Sequence, residues 1–118
     1  MVLGVDVGTT AVKVLLLDGE ARPLRAAERP HPLFSPHPGF AEEDPEAWWR
    51  GAVQGIREAL RGLDPRGVRA LGVSGMVPAL VLHDERGRPL APALLQNDAR
   101  AVAEIRELKE RFGDEWLF

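Results

Sequence analysis

An aspartate, a glycine, two threonines and a lysine stand close together near the amino terminus, in the run Asp6-Val7-Gly8-Thr9-Thr10-Ala11-Val12-Lys13. A carboxylate at the end of a strand can hold a divalent cation through an attached water, and a glycine turn exposes backbone N–H groups that suit phosphate oxygens. Gly8 has no side chain to block close approach, Thr9 and Thr10 add hydroxyl donors, and Lys13 adds positive charge if it shares their side. On the residues alone this chemistry competes evenly with a plain hairpin turn carrying a polar strand end, because short glycine motifs recur by chance. It is not a P-loop, since no Gly-Lys-Ser/Thr element introduces a helix.

The elements that must position these groups follow from the flanking pattern. Val2 to Val7 and Val12 to Leu17 are apolar, β-branched runs on either side of the turn, and predict a hairpin of buried strands. Pro23 to Arg29 predicts a third, edge-like strand after the Asp18-Gly19-Glu20 turn. Residues 30 to 45 hold five prolines, a composition that blocks both helix and ladder. Asp44 then precedes Pro45, an N-cap followed by proline at the first helical position, and Trp48, Ala52, Ile56, Ala59 and Leu60 recur at helical spacing. A helix is expected from about 45 to 61.

Val68 to Ser74 and Ala79 to His83 predict two further strands joined through Ser74-Gly75-Met76-Val77-Pro78. A turn follows at Asp84 to Arg88, then extended chain from Leu90 to Leu95, and a helix from Ala99 to Phe112. Three strands, a helix, then strands and a helix describe an α/β domain. Phosphate binding between antiparallel strands, rather than at a helix start, points within that class to the actin-like ATPase arrangement.

Composition removes several function classes. The 118 residues suffice for one domain with a single core, and a net charge of −3 with interspersed signs argues against nucleic acid as a partner. There is no cysteine, which excludes disulfides and thiolate metal sites. No apolar run approaches the roughly 20 residues that span a bilayer, and the amino terminus has no signal-peptide pattern, so a cytoplasmic protein without membrane contact is expected. His31, His37 and His83 are too scattered for a zinc site. Glu42, Glu43 and Asp44 are expected to serve the helix amino terminus, and of Trp48 and Trp49 one should be buried and the other half-buried.

Five collinear segments carry a more specific resemblance. Residues 6–13, P-G-F-A-E-E-D-P-E-A-W-W (38–49), A-L-G-V-S-G-M (70–76), L-H-D-E-R-G-R-P-L-A-P-A-L-L (82–95) and N-D-A-R (97–100) resemble, in order and spacing, the FGGY carbohydrate kinases, most of all their xylulokinase members. The resemblance covers nearly the whole chain. It implies a ribonuclease-H-like (actin-like ATPase) domain: a mixed sheet with an initial antiparallel three-strand meander and flanking helices. It also implies ATP and Mg2+ as cofactors, with Asp6 holding the metal through water and Gly8, Thr9, Thr10 and Lys13 on the phosphate side. Met76, Val77, Pro78, Asn97 and Asp98 fall where the sugar or polyol substrate would lie.

Departures accompany the match. Val77 and Pro78 occupy positions where xylulokinase-like members place a methionine and a histidine against the sugar, and Gln96 replaces a tryptophan. A competing assignment has Asn97 and Asp98 capping a helix near Ala99, with Arg100 paired to a carboxylate. By resemblance the catalytic aspartate and the adenosine site belong to a second domain absent from residues 1–118, so no catalytic residue is assigned to this chain. It is expected to be a partial amino-terminal domain, inactive alone, forming a homo-oligomer or joining a chain that supplies the second domain. The alternative is a noncatalytic interaction or regulatory module derived from the kinase fold.

Overall fold

The computed structural model describes residues 1–113. Its centre is a four-stranded mixed sheet ordered β3-β2-β1-β5, built from β1 (Val2–Val7), β2 (Ala11–Leu17), β3 (Pro23–Pro30) and β5 (Ala70–Gly75). The first three form the expected antiparallel meander, with β3 at an edge, and β5 runs parallel to β1 from the register Val2 to Ala70 onward. Between β3 and β5 come β4 (Glu42–Glu43) and helix α1 (Pro45–Ala59). β6 (Ala93–Leu94) and helix α2 (Val102–Phe112) follow.

Strand alternation decides where the core sits. Leu3 and Val5 of β1, Val12, Val14 and Leu16 of β2 and Ala27 of β3 all point to the face that α1 covers, and all are buried. Burial of each large side chain contributes about 1.5–3 kcal/mol. Asp44 caps α1 as its spelling predicted, accepting the Glu46 N–H at 2.9 Å with Pro45 at the first helical position. At the other end of the helix, Arg25 donates to the carbonyls of Ala59 and Arg61 and Arg29 pairs with Glu58, which pins the helix to β3.

The residues that α1 buries most deeply are Gly51, Gly55 and Ala59. A Cβ on Gly51 would stand 3.1 Å from Val12 Cγ2, and one on Gly55 only 2.7 Å from Val14 Cγ2. Bare backbone at two successive turns therefore lets the helix settle onto β2. Trp48, Ala52, Ile56 and Leu60 flank that line, partly buried. Trp48 is half-buried and Trp49 is 68% exposed, so the adjacent pair is shifted outward by one step from the expectation.

Two expected elements differ. Residues 79–83 do not form a strand but pair with neighbours only at the single bridges Leu80–Leu94 and His83–Pro89, since Pro89 and Pro92 on the facing segment and the intervening turn break any longer ladder. The second helix starts at Val102 rather than Ala99 and its N-cap Ala101 makes no side-chain bond. The turn at 84–88 is present: Asp84 accepts the N–H groups of Arg86 and Arg88, and Asp18 does the same for Glu20 and Arg22 in the β2–β3 turn.

Candidate functional site

Parallel pairing of β1 with β5 brings their carboxyl ends, Val7 and Gly75, to one end of the sheet. β2 begins there and β3 finishes there, so the 8–10 turn, the 31–41 loop and the 76–78 segment all leave the same end. Open α/β sheets place ligands in this kind of location, at the carboxyl ends of parallel strands.

In the turn, the Gly8 N–H donates to the Ala11 carbonyl at 3.1 Å, and a Cβ on Gly8 would lie 3.2 Å from that oxygen. The Gly8 amide is thus committed within the turn, contrary to the expectation that it faces outward. Thr9 and Thr10 are exposed. Asp6 stands opposite Lys13 in the β1–β2 register, Lys13 stands opposite Glu28 on β3, and Asp6 stands beside Ser74 on β5. The row Glu28, Lys13, Asp6 and Ser74 crosses the sheet on the face away from α1, along a groove of about 680 Å³ floored by Gly4, Gly72 and Ala26. Asp6 and Lys13 are exposed. Neither is engaged by another described side chain, so both are available to a ligand.

Beyond β5, the Met76 N–H donates to the Val7 carbonyl at 2.9 Å, which holds this segment against the end of β1. Met76 is partly buried, whereas Val77 is 76% exposed and Pro78 is exposed, with a cis peptide bond between them. The chain leaving β5 thus presents apolar side chains at this end of the sheet.

Asn97 and Asp98 are not helix caps. Asp98 Oδ2 accepts the Ala41 N–H at 2.8 Å, and its carboxylate is gripped by Arg100 through Nε at 2.8 Å and Nη2 at 2.7 Å. These bonds, the Arg100 guanidinium first and the Ala41 amide next, hold the Asp98 carboxyl well below the ordinary carboxylate range. The pairing likewise raises Arg100 above its usual value. Arg100 also reaches Glu42 at 2.7 Å and lies over the Phe40 ring, 3.8 Å from its centroid. Asn97 is exposed.

Sequence reasoning missed Glu42, Glu43 and His31 as parts of one framework. Only Asp44 serves the helix start. Glu42 turns to Arg100, and Glu43 is completely buried, accepting the Trp48 indole N–H at 2.5 Å with His31 Nδ1 at 2.9 Å. The available signal was the pair of adjacent acids on an extended segment, whose side chains must point to opposite sides. Among the described residues no three or more His, Asp or Glu side chains gather as a metal-binding cluster, and no helix is long and apolar enough to cross a membrane.

The family model described as FGGY family of carbohydrate kinases, N-terminal domain, matches residues 1–117. Xylulose kinase of Staphylococcus epidermidis is 31% identical over 116 residues, covering 97% of this chain and 23% of the relative. Glycerol kinase of Thermococcus gammatolerans is 29% identical over 115 residues, covering 96% of this chain and 23% of the relative. Among solved structures, xylulose kinase from Rhodospirillum rubrum superposes with a TM-score of 0.87 at 38% identity, over 97% of this chain and 24% of that one. The chain therefore spans about a quarter of the length of the relatives it matches.

Proposed function

The chain belongs to the FGGY family of carbohydrate kinases, and we propose that it serves there as the phosphate-side and sugar-side portion of an ATP-dependent kinase for a sugar or polyol hydroxyl. The observation that carries this reading is the placement of Asp6 and Lys13. They are paired in register on one face, unengaged, directly beneath an exposed Thr9-Thr10 turn. A carboxylate and an ammonium side by side at a strand end fit a Mg-nucleotide: Asp6 would hold the metal through water, and Lys13 with the threonine hydroxyls would meet phosphate oxygens. Mg2+, when bound, neutralises charge on the transferring phosphoryl group. This chain's own part is to bind and orient: the groove face receives the phosphates, and Met76, Val77, Pro78, Asn97 and Asp98 border the acceptor. The chain spans about a quarter of its relatives' length, and by the family resemblance the catalytic aspartate and adenosine site would lie outside residues 1–118.

Calorimetric titration of residues 1–118 with Mg-ATP, in the presence of D-xylulose or glycerol, tests the reading. Weak Mg-dependent nucleotide binding is expected, reduced about tenfold or more by Asp6→Asn through loss of the charged metal partner. Sugar-dependent ADP release by residues 1–118 alone should be absent, and measurable turnover without an added partner would refute the assignment of the base. The exposed Val77 and Pro78 favour a second reading, a noncatalytic module, under which Mg-ATP leaves the calorimeter trace flat.

A further inference from the structure

Glu42 and Glu43 are the whole of β4, and they bond in opposite directions. Glu42 reaches Arg100. Glu43 faces inward at 0% exposure, with His31 at 8%, and binds Trp48 of α1. A carboxyl group is expensive to bury, and an apolar side chain of similar volume at such a place is often neutral or stabilising. Helix capping does not explain it. Asp44 already caps α1, and Glu43 Oε1 and His31 Nε2 have no hydrogen-bond partner among the described residues. The Nδ1–Oε2 approach of 2.9 Å is a close polar contact rather than an aligned hydrogen bond.

What the carboxylate does connect is two ends of the candidate site. The His31 N–H donates to the Thr10 carbonyl at 3.1 Å, at the back of the phosphate turn. On the other side, the residue preceding β4, Ala41, donates its N–H to Asp98 at 2.8 Å and accepts the Leu95 N–H at 3.0 Å. A continuous line of direct contacts and chain bonds therefore runs from Thr10 through His31, Glu43 and Ala41 to Asp98 and Arg100.

We propose that Glu43 is a positioning residue that fixes the phosphate turn and the Asp98–Arg100 cluster at one spacing, abutting His31 on one side and carrying the β4 backbone on the other. It touches neither ligand. The functional meaning rests on the kinase reading: that spacing is then the one between phosphoryl donor and acceptor hydroxyl, where misplacement by an ångström costs about 100-fold in rate.

The test uses the complete gene product that contains these residues, with Glu43→Gln as an isosteric variant that keeps an acceptor for Trp48. In NMR spectra, the Arg100 Nε–H is expected to exchange with solvent about tenfold faster, as its site opens locally, and the Thr9 and Thr10 amide resonances are expected to move with it. With Mg-ATP and D-xylulose or glycerol, kcat should fall about 10- to 100-fold while either KM changes by less than about threefold, since spacing is lost but contacts remain. A folded variant with unchanged Arg100 exchange and Thr9–Thr10 resonances overturns the proposal, and so does an unchanged kcat. If the unsubstituted protein turns over neither acceptor, the kinase reading has failed for these acceptors, and the NMR readouts alone decide the positioning role. Should Glu43→Gln not fold, Trp48→Phe removes the indole N–H donor together with part of the ring, and the same resonances must respond in the same sense.

Discussion

Asp98 shows how one carboxylate can be committed to partners within its own chain. Its carboxylate is filled by Arg100 and the Ala41 amide, so its first task is to hold the loop before β4 against the segment after β6. Those donors act on the charged form, which sets the direction of the pH response. The folded-state value is depressed, so the stabilisation is complete above the unfolded value, about 4 for an aspartate, and is lost only as pH falls through the lower folded value. The Asp98 carboxyl resonance is therefore expected to stay flat between pH 7 and about 4 and to begin moving only in stronger acid. Arg100→Ala should return its midpoint toward the ordinary range. A midpoint near 4 in the unsubstituted protein would show that the Arg100 clamp does not form.

At the level of elements, the contact of α1 with β2 is set by two glycines rather than by the large apolar residues that announce the helix. Glycine in a helix interior costs about 1 kcal/mol relative to alanine, so filling it would stabilise the chain if space allowed. The two sites separate space from propensity. At Gly55 an added Cβ would press to 2.7 Å from Val14 Cγ2, and Gly55→Ala is expected to destabilise by up to about 2 kcal/mol net, overpacking of about 1–3 kcal/mol outweighing a propensity gain of about 1 kcal/mol. At Gly51 the approach is 3.1 Å and Val12 has only a small adjustment to make, so Gly51→Ala should change stability by less than about 0.5 kcal/mol. Urea unfolding of both variants checks the pair, and equal effects would show that the helix does not sit where these distances place it.

The whole molecule is drawn out. Its radius of gyration is 18.4 Å with extents of 58 × 30 × 28 Å, against about 13–14 Å expected for a compact chain of this length. The reason is uncovered surface. Every residue of β5 is exposed, with Leu71 at 50% and Val73 at 70% on the side that α1 covers elsewhere, and no residue of α2 is buried although Val102, Ile105 and Phe112 are apolar. Exposed apolar side chains clustered on an element in this way mark faces that meet another chain or segment. Residues 1–118 in isolation are therefore expected to associate, with a sedimentation coefficient that rises across the micromolar range. A single monomeric boundary at every concentration would show that these faces close on themselves in solution. Leu71→Glu with Ile105→Glu should reduce the association by placing charge on both faces.

The sequence by itself determined the elements whose causes are local. The β1–β2 hairpin and its turn follow from alternating apolar residues around Gly8, the edge position of β3 from Pro23, and the start of α1 from Asp44-Pro45. The nearness of Asp6, Thr9, Thr10 and Lys13 was likewise legible, because a tight turn brings close neighbours in sequence together in space. Tertiary structure alone decided the rest. Asp98 reads as a helix cap until Ala41, far away in sequence, presents its amide, and Glu43 reads as helix-terminal charge until the chain folds His31 and Trp48 around it. The glycine line of α1 acquires meaning only against Val12 and Val14. Local propensity acts over a few residues, whereas a polar side chain goes to whichever partner the packed backbone brings within about 3 Å, and that choice is absent from any short stretch of sequence.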